Sequence, residues 1–327
     1  MRVLQWKPKN QRNQKLISIA LKQKSLKLLL LALFTILVVV VFFVASNRKQ
    51  PTLAVQKTIT NIAKTPAKVV GKIASVSLQQ AFASDKQVEK GIRVPVLMYH
   101  HVGYVTDANN ALENDLTVSP TDFEAQVVYF KNLGYQSVTL AEVYDNLTNG
   151  KPLPKKPIVF TFDDGYKDVF VNAIPILQKY GFTGTFAIAT ELLGRPTYAV
   201  WDDVIAAHNQ GMEIVSHTEN HLDLTSPVYS EADLHREIFD SKQKLEQELG
   251  VSVDFFVYPY GKYNQHVEDL LTQAGYKMAF TTAYSQYLNE NNLLSEPRVR
   301  VHGGNGLEKL KKIFDPVVHN ATALVNP

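Results

Sequence analysis

From Val94 onward the chain alternates between two textures. Short apolar runs such as PVLMY and IVFTF have the length of buried strands, and between them lie segments whose apolar residues recur three and four apart. In SPTDFEAQVVYFKNLGY, Ser119 can cap a helix, Pro120 suits its first turn, and Phe123, Val127 and Phe130 share one face. One ending recurs five times, at LGYQSVT, YGFTGTFAIA, QGMEIVS, LGVSVDFFVY and AGYKMAFTT: a helical stretch closes on a glycine and an apolar strand follows. Gly134, Gly181, Gly211, Gly250 and Gly275 suit the left-handed position just past a helix end. Repeated helix–glycine–strand units predict an α/β fold with a mostly parallel sheet. Roughly seven units in about 230 residues favour a distorted (β/α)7-type barrel over an open sheet.

The N-terminal third has another texture. Residues 28–45, LLLLALFTILVVVVFFVA, carry no charge and approach the about 20 residues of a membrane-spanning helix. A run apolar on every face is not a core helix, and a leading region of 27 residues is long for a signal peptide. We expect an uncleaved transmembrane anchor, with cleavage as the alternative. Residues 1–27 hold eight Lys or Arg and no acid, which favours a cytoplasmic tail, although residues 46–72 hold six. Residues 46–92 read as a linker and 93–327 as a catalytic domain outside the membrane.

Over 327 residues the net charge is only +3, with no basic stripe and no zinc-finger spacing, so nucleic acid is not an expected partner. The absence of cysteine excludes disulfides and thiolate chemistry.

Three strand ends carry the candidate chemistry. IVFTF runs into Asp163, Asp164 and Gly165. Two adjacent carboxylates would raise one another's pKa, a penalty that a divalent cation removes; alternatively, one of them caps the next helix. MEIVS runs into SHTENH, whose His217 and His221 stand four apart and share a face if the segment coils. One Asp with two His is a familiar catalytic metal set, although a His pair alone is more often a surface feature. DFFVY runs into the turn Pro259-Tyr260-Gly261, where backbone N–H groups could face a developing oxyanion.

FTFDDG, SHTENH and YPYG, in this order, resemble the polysaccharide deacetylases of carbohydrate esterase family 4, the NodB-homology domain. The resemblance covers about residues 94–315, and VPVLMYHHV resembles the exported branch that de-N-acetylates poly-β-1,6-N-acetylglucosamine through a circularly permuted barrel. It implies Asp163 as general base, Asp164, His217 and His221 as ligands of one divalent metal (zinc, with nickel, cobalt or iron as alternatives), and Tyr260 as oxyanion donor through its backbone. It further implies His100 as general acid, with His101 and His302 as competitors, and an acetylated polysaccharide as substrate. Where the family pattern has an arginine this chain has Val257, so the base must be held otherwise, with Arg298 or Arg300 as candidates. Tyr258 and Trp201 are expected sugar contacts. An O-acetyl esterase acting on a polymer such as xylan, and a non-catalytic glycan-binding relic, are the other readings.

Overall fold

The computed structural model describes residues 91–304 and 306–315. The expected tail and anchor, and nearly all of the linker, lie outside the described residues. Among the described residues no helix is long and apolar enough to cross a membrane.

Seven strands form the frame: β1 (Val96–Tyr99), β2 (Pro157–Phe162), β3 (Thr185–Ile188), β4 (Glu213–Ser216), β5 (Phe255–Val257), β6 (Met278–Tyr284) and β7 (Glu296–Arg300). Each pairs in parallel with the next in chain order. β7 returns to β1, Val299 opposite Leu97, and closes the ring. The predicted α/β barrel is therefore present, with seven parallel strands. A two-residue strand, Gln136–Ser137, extends the starting end of β2.

The period-2 alternation of a strand sorts the side chains. Val96, Val159, Ala187, Val215, Val257 and Phe280 form one cluster and fill the lumen. Their neighbours Leu97, Phe160, Phe186, Ile214 and Val299 face outward against helix residues such as Phe123, Val127 and Leu177. The helix Pro120–Asn132 begins as expected, with Ser119 Oγ accepting from the Asp122 N–H at 3.1 Å. The five helix-ending glycines all have φ between 69° and 84°.

Candidate active site

In parallel barrels the chain leaves each strand at the C-terminal rim, and that is where sites are built. Asp163 and Asp164 follow β2, His217 follows β4, Tyr260 lies just past β5, and His100 follows β1. Neighbouring acids can serve different ends there. Asp163 shares the face of Val159 and Thr161 and points into the lumen. Asp164 leaves the strand conformation at φ 75° and turns toward the histidines.

In the lumen, Arg298 of β7 meets Asp163 with both prongs of its guanidinium, Nη1 to Oδ1 at 2.7 Å and Nη2 to Oδ2 at 2.8 Å. Arg298 also donates to the Thr161 hydroxyl at 3.0 Å and the Thr281 carbonyl at 3.1 Å, so the buried cation is held on several sides. Burial opposes ionisation of Asp163, but the Arg298 charge and hydrogen bonds outweigh it and hold the carboxyl below its ordinary range. Of the two candidate arginines, Arg298 therefore holds Asp163. Arg300, one step nearer the rim on the same strand face, donates instead to Asp115 at 2.7 Å.

On the rim, Asp164, His217 and His221 each offer a donor atom, and these atoms all lie within 4.8 Å of one another. His217 Nδ1 lies 2.7 Å from the Val257 carbonyl, which can only accept, so Nδ1 carries the proton and Nε2 keeps its lone pair. That Nε2 lies 3.1 Å from Asp164 Oδ1, and His221 Nε2 lies 3.2 Å from the same oxygen. Asp164 Oδ1 is buried and makes no hydrogen bond. Electron-pair donors crowded around an unbonded carboxylate oxygen fit a divalent cation, and one carboxylate with two imidazoles suits zinc and its neighbours.

The histidines do not meet by helical spacing. Residues 217–221 form an irregular loop, with Thr218 at φ 69° and His221 at φ 61°. With Asp164 and Tyr260 (φ 60°), four of the five non-glycine residues with positive φ among those described lie in the three motif loops. Each such conformation costs on the order of 1–3 kcal/mol and persists only where its surroundings enforce it. In the histidine loop that support comes from Glu237, a residue the sequence motifs do not mark. Its buried carboxylate accepts from the N–H groups of Glu219 and Asn220 at 3.2 and 2.8 Å and from the Asn220 amide at 2.9 Å. Glu237 sits on a π turn, Arg236–Asp240, which runs into the helix Ser241–Leu249; Ser241 in turn contacts Ser216 at the end of β4, Oγ to Oγ 3.0 Å. The available sequence signal was a pair of polar residues, Glu237 and Ser241, interleaved with the apolar positions Leu234, Ile238 and Leu245 of one helix.

The three candidate proton donors differ in their surroundings. His101 Nδ1 lies 2.8 Å from Asp168 and its ring stacks on Tyr166 at 3.7 Å. His302 Nδ1 lies 2.7 Å from Asp115. His100 Nδ1 is buried without a partner. Burial lowers the His100 pKa, while Asp163 and Asp164, both near enough to act on it, push it back up. Tyr260 stands on the rim with its ring edge-on to His221, centroids 4.7 Å apart.

Of the two expected sugar contacts, Tyr258 is drawn fully into packing and Trp201 in part. Tyr258 is 1% exposed, stacks on Tyr263 and donates its hydroxyl to the Leu294 carbonyl at 2.8 Å. It shares the outward face of β5 with Phe256, against Val267 and Leu271, and has no surface for a ligand. Trp201 opens the helix Trp201–Asn209, packs partly buried against the outer core, and has Lys244 Nζ 5.8 Å from its ring centroid.

Fold and site together define a parallel barrel with a three-donor cation site and an arginine-held carboxylate at its C-terminal mouth. A family model described as polysaccharide deacetylase matches residues 150–279. The deacetylase PplD of Streptococcus pyogenes, solved in complex with acetate, is 30% identical with a TM-score of 0.63, over 69% of this chain and 100% of that one. A polysaccharide deacetylase structure from Bacillus cereus is 29% identical with a TM-score of 0.60, over 68% of this chain and 69% of that one. The poly-β-1,6-N-acetyl-D-glucosamine N-deacetylase of Escherichia coli (strain K12) is 27% identical in an alignment of 256 positions, gaps included, that covers 64% of this chain and 38% of that protein. The chain belongs to the polysaccharide deacetylase family.

Proposed function

We propose that this protein is a divalent-metal-dependent hydrolase that removes acetyl groups from the amide nitrogens of an N-acetylglucosamine polymer, with β-1,6-linked chains as the preferred substrate. The observation that carries this reading is the convergence of Asp164, His217 and His221 beside an Asp163 kept ionised by Arg298. Likeness to the E. coli enzyme and the VPVLMYHHV block supports the linkage.

When bound, a divalent ion supplies a water of lowered pKa and polarises the acetamide carbonyl. Asp163 is free of the ligand set and accepts the attacking water's proton, while Arg298 fixes its orientation and charge. The Tyr260 backbone amide faces the oxygen on which charge develops. His100 gives a proton to the departing sugar amine as the C–N bond breaks, leaving acetate and a free amine. Residues 28–45 anchor the chain, with the barrel outside the membrane.

Acetate release by the full chain tests this reading. β-1,6- and β-1,4-linked N-acetylglucosamine oligomers and O-acetylated xylan are incubated with the metal-loaded protein. Acetate from the β-1,6 oligomers at the highest kcat/KM supports the reading. Acetate from xylan alone replaces it with the esterase, and acetate from none of them replaces it with a glycan-binding relic.

A further inference from the structure

We infer that the entry end of the barrel, opposite the catalytic mouth, docks on a bilayer of anionic phospholipid, with headgroup phosphates drawn to Lys131 and Lys156 beside a cleft there; this rests on the membrane anchor proposed above. The cleft has a volume of about 430 Å³, with Lys131, Gly134, Tyr135, Gln136, Ser137 and Gly181 among its walls. These residues stand where helices end and strands start. The helix Pro120–Asn132 finishes at this end, Gln136–Ser137 prolongs the starting end of β2, and Gly181 precedes β3. Asp164 and His217 follow the far ends of β2 and β4, so the cleft is separate from the cation site.

The cations at this end divide into two groups. Lys151, Lys179 and Lys277 are neutralised by Asp145, Glu124 and Asp254, at 3.3, 2.6 and 2.6 Å. Among the described residues no carboxylate pairs with Lys131, Lys155 or Lys156. Two of these ammonium groups are braced over buried rings: Lys131 Nζ lies 5.7 Å from the Phe182 centroid and Lys156 Nζ 5.8 Å from that of Tyr135. Lys156 also donates to the Leu133 carbonyl at 2.6 Å. Arg93, which leads into β1, is turned to the neutral Gln286 Oε1 at 2.6 Å and to the ring of Phe314, 5.9 Å from its centroid. Phe314 packs in turn on Tyr135, centroids 5.9 Å apart, so the cations share one surface; Asp315, beside Tyr129, is an acid on its flank. Toward the mouth the lysines are neutralised, Lys167 by Asp203 at 3.6 Å and Lys262 by Asp223 at 2.6 Å. The uncompensated positive field therefore belongs to the entry end.

Charge and tether select the occupant. The described chain begins at this end, and residues 28–45 carry the long apolar run. A domain tethered to a bilayer stays within reach of its headgroups, and lysines close to an anionic surface are attracted to it. The polymer is a poorer fit. Its N-acetylated form is neutral and gains nothing from these cations, and its deacetylated form is a polycation that they repel. Docked in this way, the domain turns its mouth away from the lipid and toward polymer in solution.

The full-length, zinc-loaded protein is reconstituted in nanodiscs of phosphatidylcholine, or of phosphatidylcholine and phosphatidylglycerol in equal parts. Amine-labelling rates are read residue by residue by mass spectrometry. With phosphatidylglycerol, labelling of Lys131, Lys155 and Lys156 slows about tenfold and recovers in high salt, while Lys262 at the mouth labels at the same rate in both. In a Lys131→Gln, Lys155→Gln double variant, its folding verified by circular dichroism, Lys156 loses that protection. Equal labelling in the two nanodiscs, with the protein retained in both, would overturn the lipid surface and leave the anchor in place. Protection by free poly(glycerol phosphate) in phosphatidylcholine nanodiscs, with none from phosphatidylglycerol, would overturn it in favour of a soluble phosphodiester polymer. Protein that stays with neither nanodisc would overturn the anchor and the docking surface together.

Discussion

The two carboxylates at the end of β2 are neighbours in sequence but are held in opposite ways. Asp163 is fixed by the closed barrel. Its partner Arg298 is 135 positions away and reaches it only because β7 returns to β1 beside β2. Asp164 is completed by a loop: its partners His217 and His221 belong to an irregular segment in left-handed backbone, tied down by Glu237. A buried ion pair inside a barrel couples the site to global stability, whereas a loop clamp couples it to cation affinity. Damage on the two sides should therefore look different.

The largest expected effect is on the barrel side. Arg298→Met leaves the Asp163 carboxylate buried without its cation, and unfolding free energy should drop by about 3–5 kcal/mol. Denaturant titration measures it. Adding Asp163→Asn in the same chain should restore much of that loss, because the uncompensated charge is gone; a double variant no more stable than Arg298→Met would break the comparison. Asp163→Asn alone should keep zinc bound and lower kcat by about 10²–10⁴, measured as acetate release.

On the loop side the readout is cation affinity. Glu237→Ala should weaken zinc binding by about 10–100-fold in a chelator competition. Glu237→Gln should recover most of that, since its amide oxygen can still accept from the Glu219 and Asn220 N–H groups. A Glu237→Ala protein with unchanged zinc affinity and lowered stability would make the two sides alike.

The smallest effect concerns Glu296, below Arg298 on the same lumenal face. Burial raises its pKa to about 8, and its Oε2 has no partner. Its folded-state pKa lies above the ordinary glutamate value of 4.5, so the folded chain binds the extra proton between these values. Its contribution to stability is present at low pH and is lost as pH rises from about 4.5 to about 8. Glu296→Gln should flatten that slope and raise Tm at pH 8 by a few degrees, corresponding to about 1–3 kcal/mol. A wild-type Tm independent of pH across that window would contradict it.

What could be read in advance follows the same division. The strand rhythm, the helix-ending glycines and the acids at the end of IVFTF are local patterns, and local patterns survive in one dimension. Arg298 and Arg300 could be named only as a pair. They point the same way along β7, and only the depth of each in the closed barrel decides which meets Asp163. Tyr258 was misplaced because its YPYG setting outweighed its period-2 match with Phe256, which sends it outward against Val267 and Leu271. Glu237 was not marked as a site residue because it acts mainly on backbone N–H groups of the histidine loop, and its one trace in the sequence is a polar position among the apolar ones of its helix. Trp201 was proposed as a ring that could stack on a sugar, and in the structure part of that ring packs against the outer core.

The central claim is that Asp164, His217 and His221 hold one divalent ion. Metal content after exhaustive dialysis of the zinc-loaded full chain tests it, with circular dichroism to verify folding. The account predicts one zinc per wild-type chain and none retained by a folded His217→Ala variant. Stoichiometric zinc in that variant would contradict it.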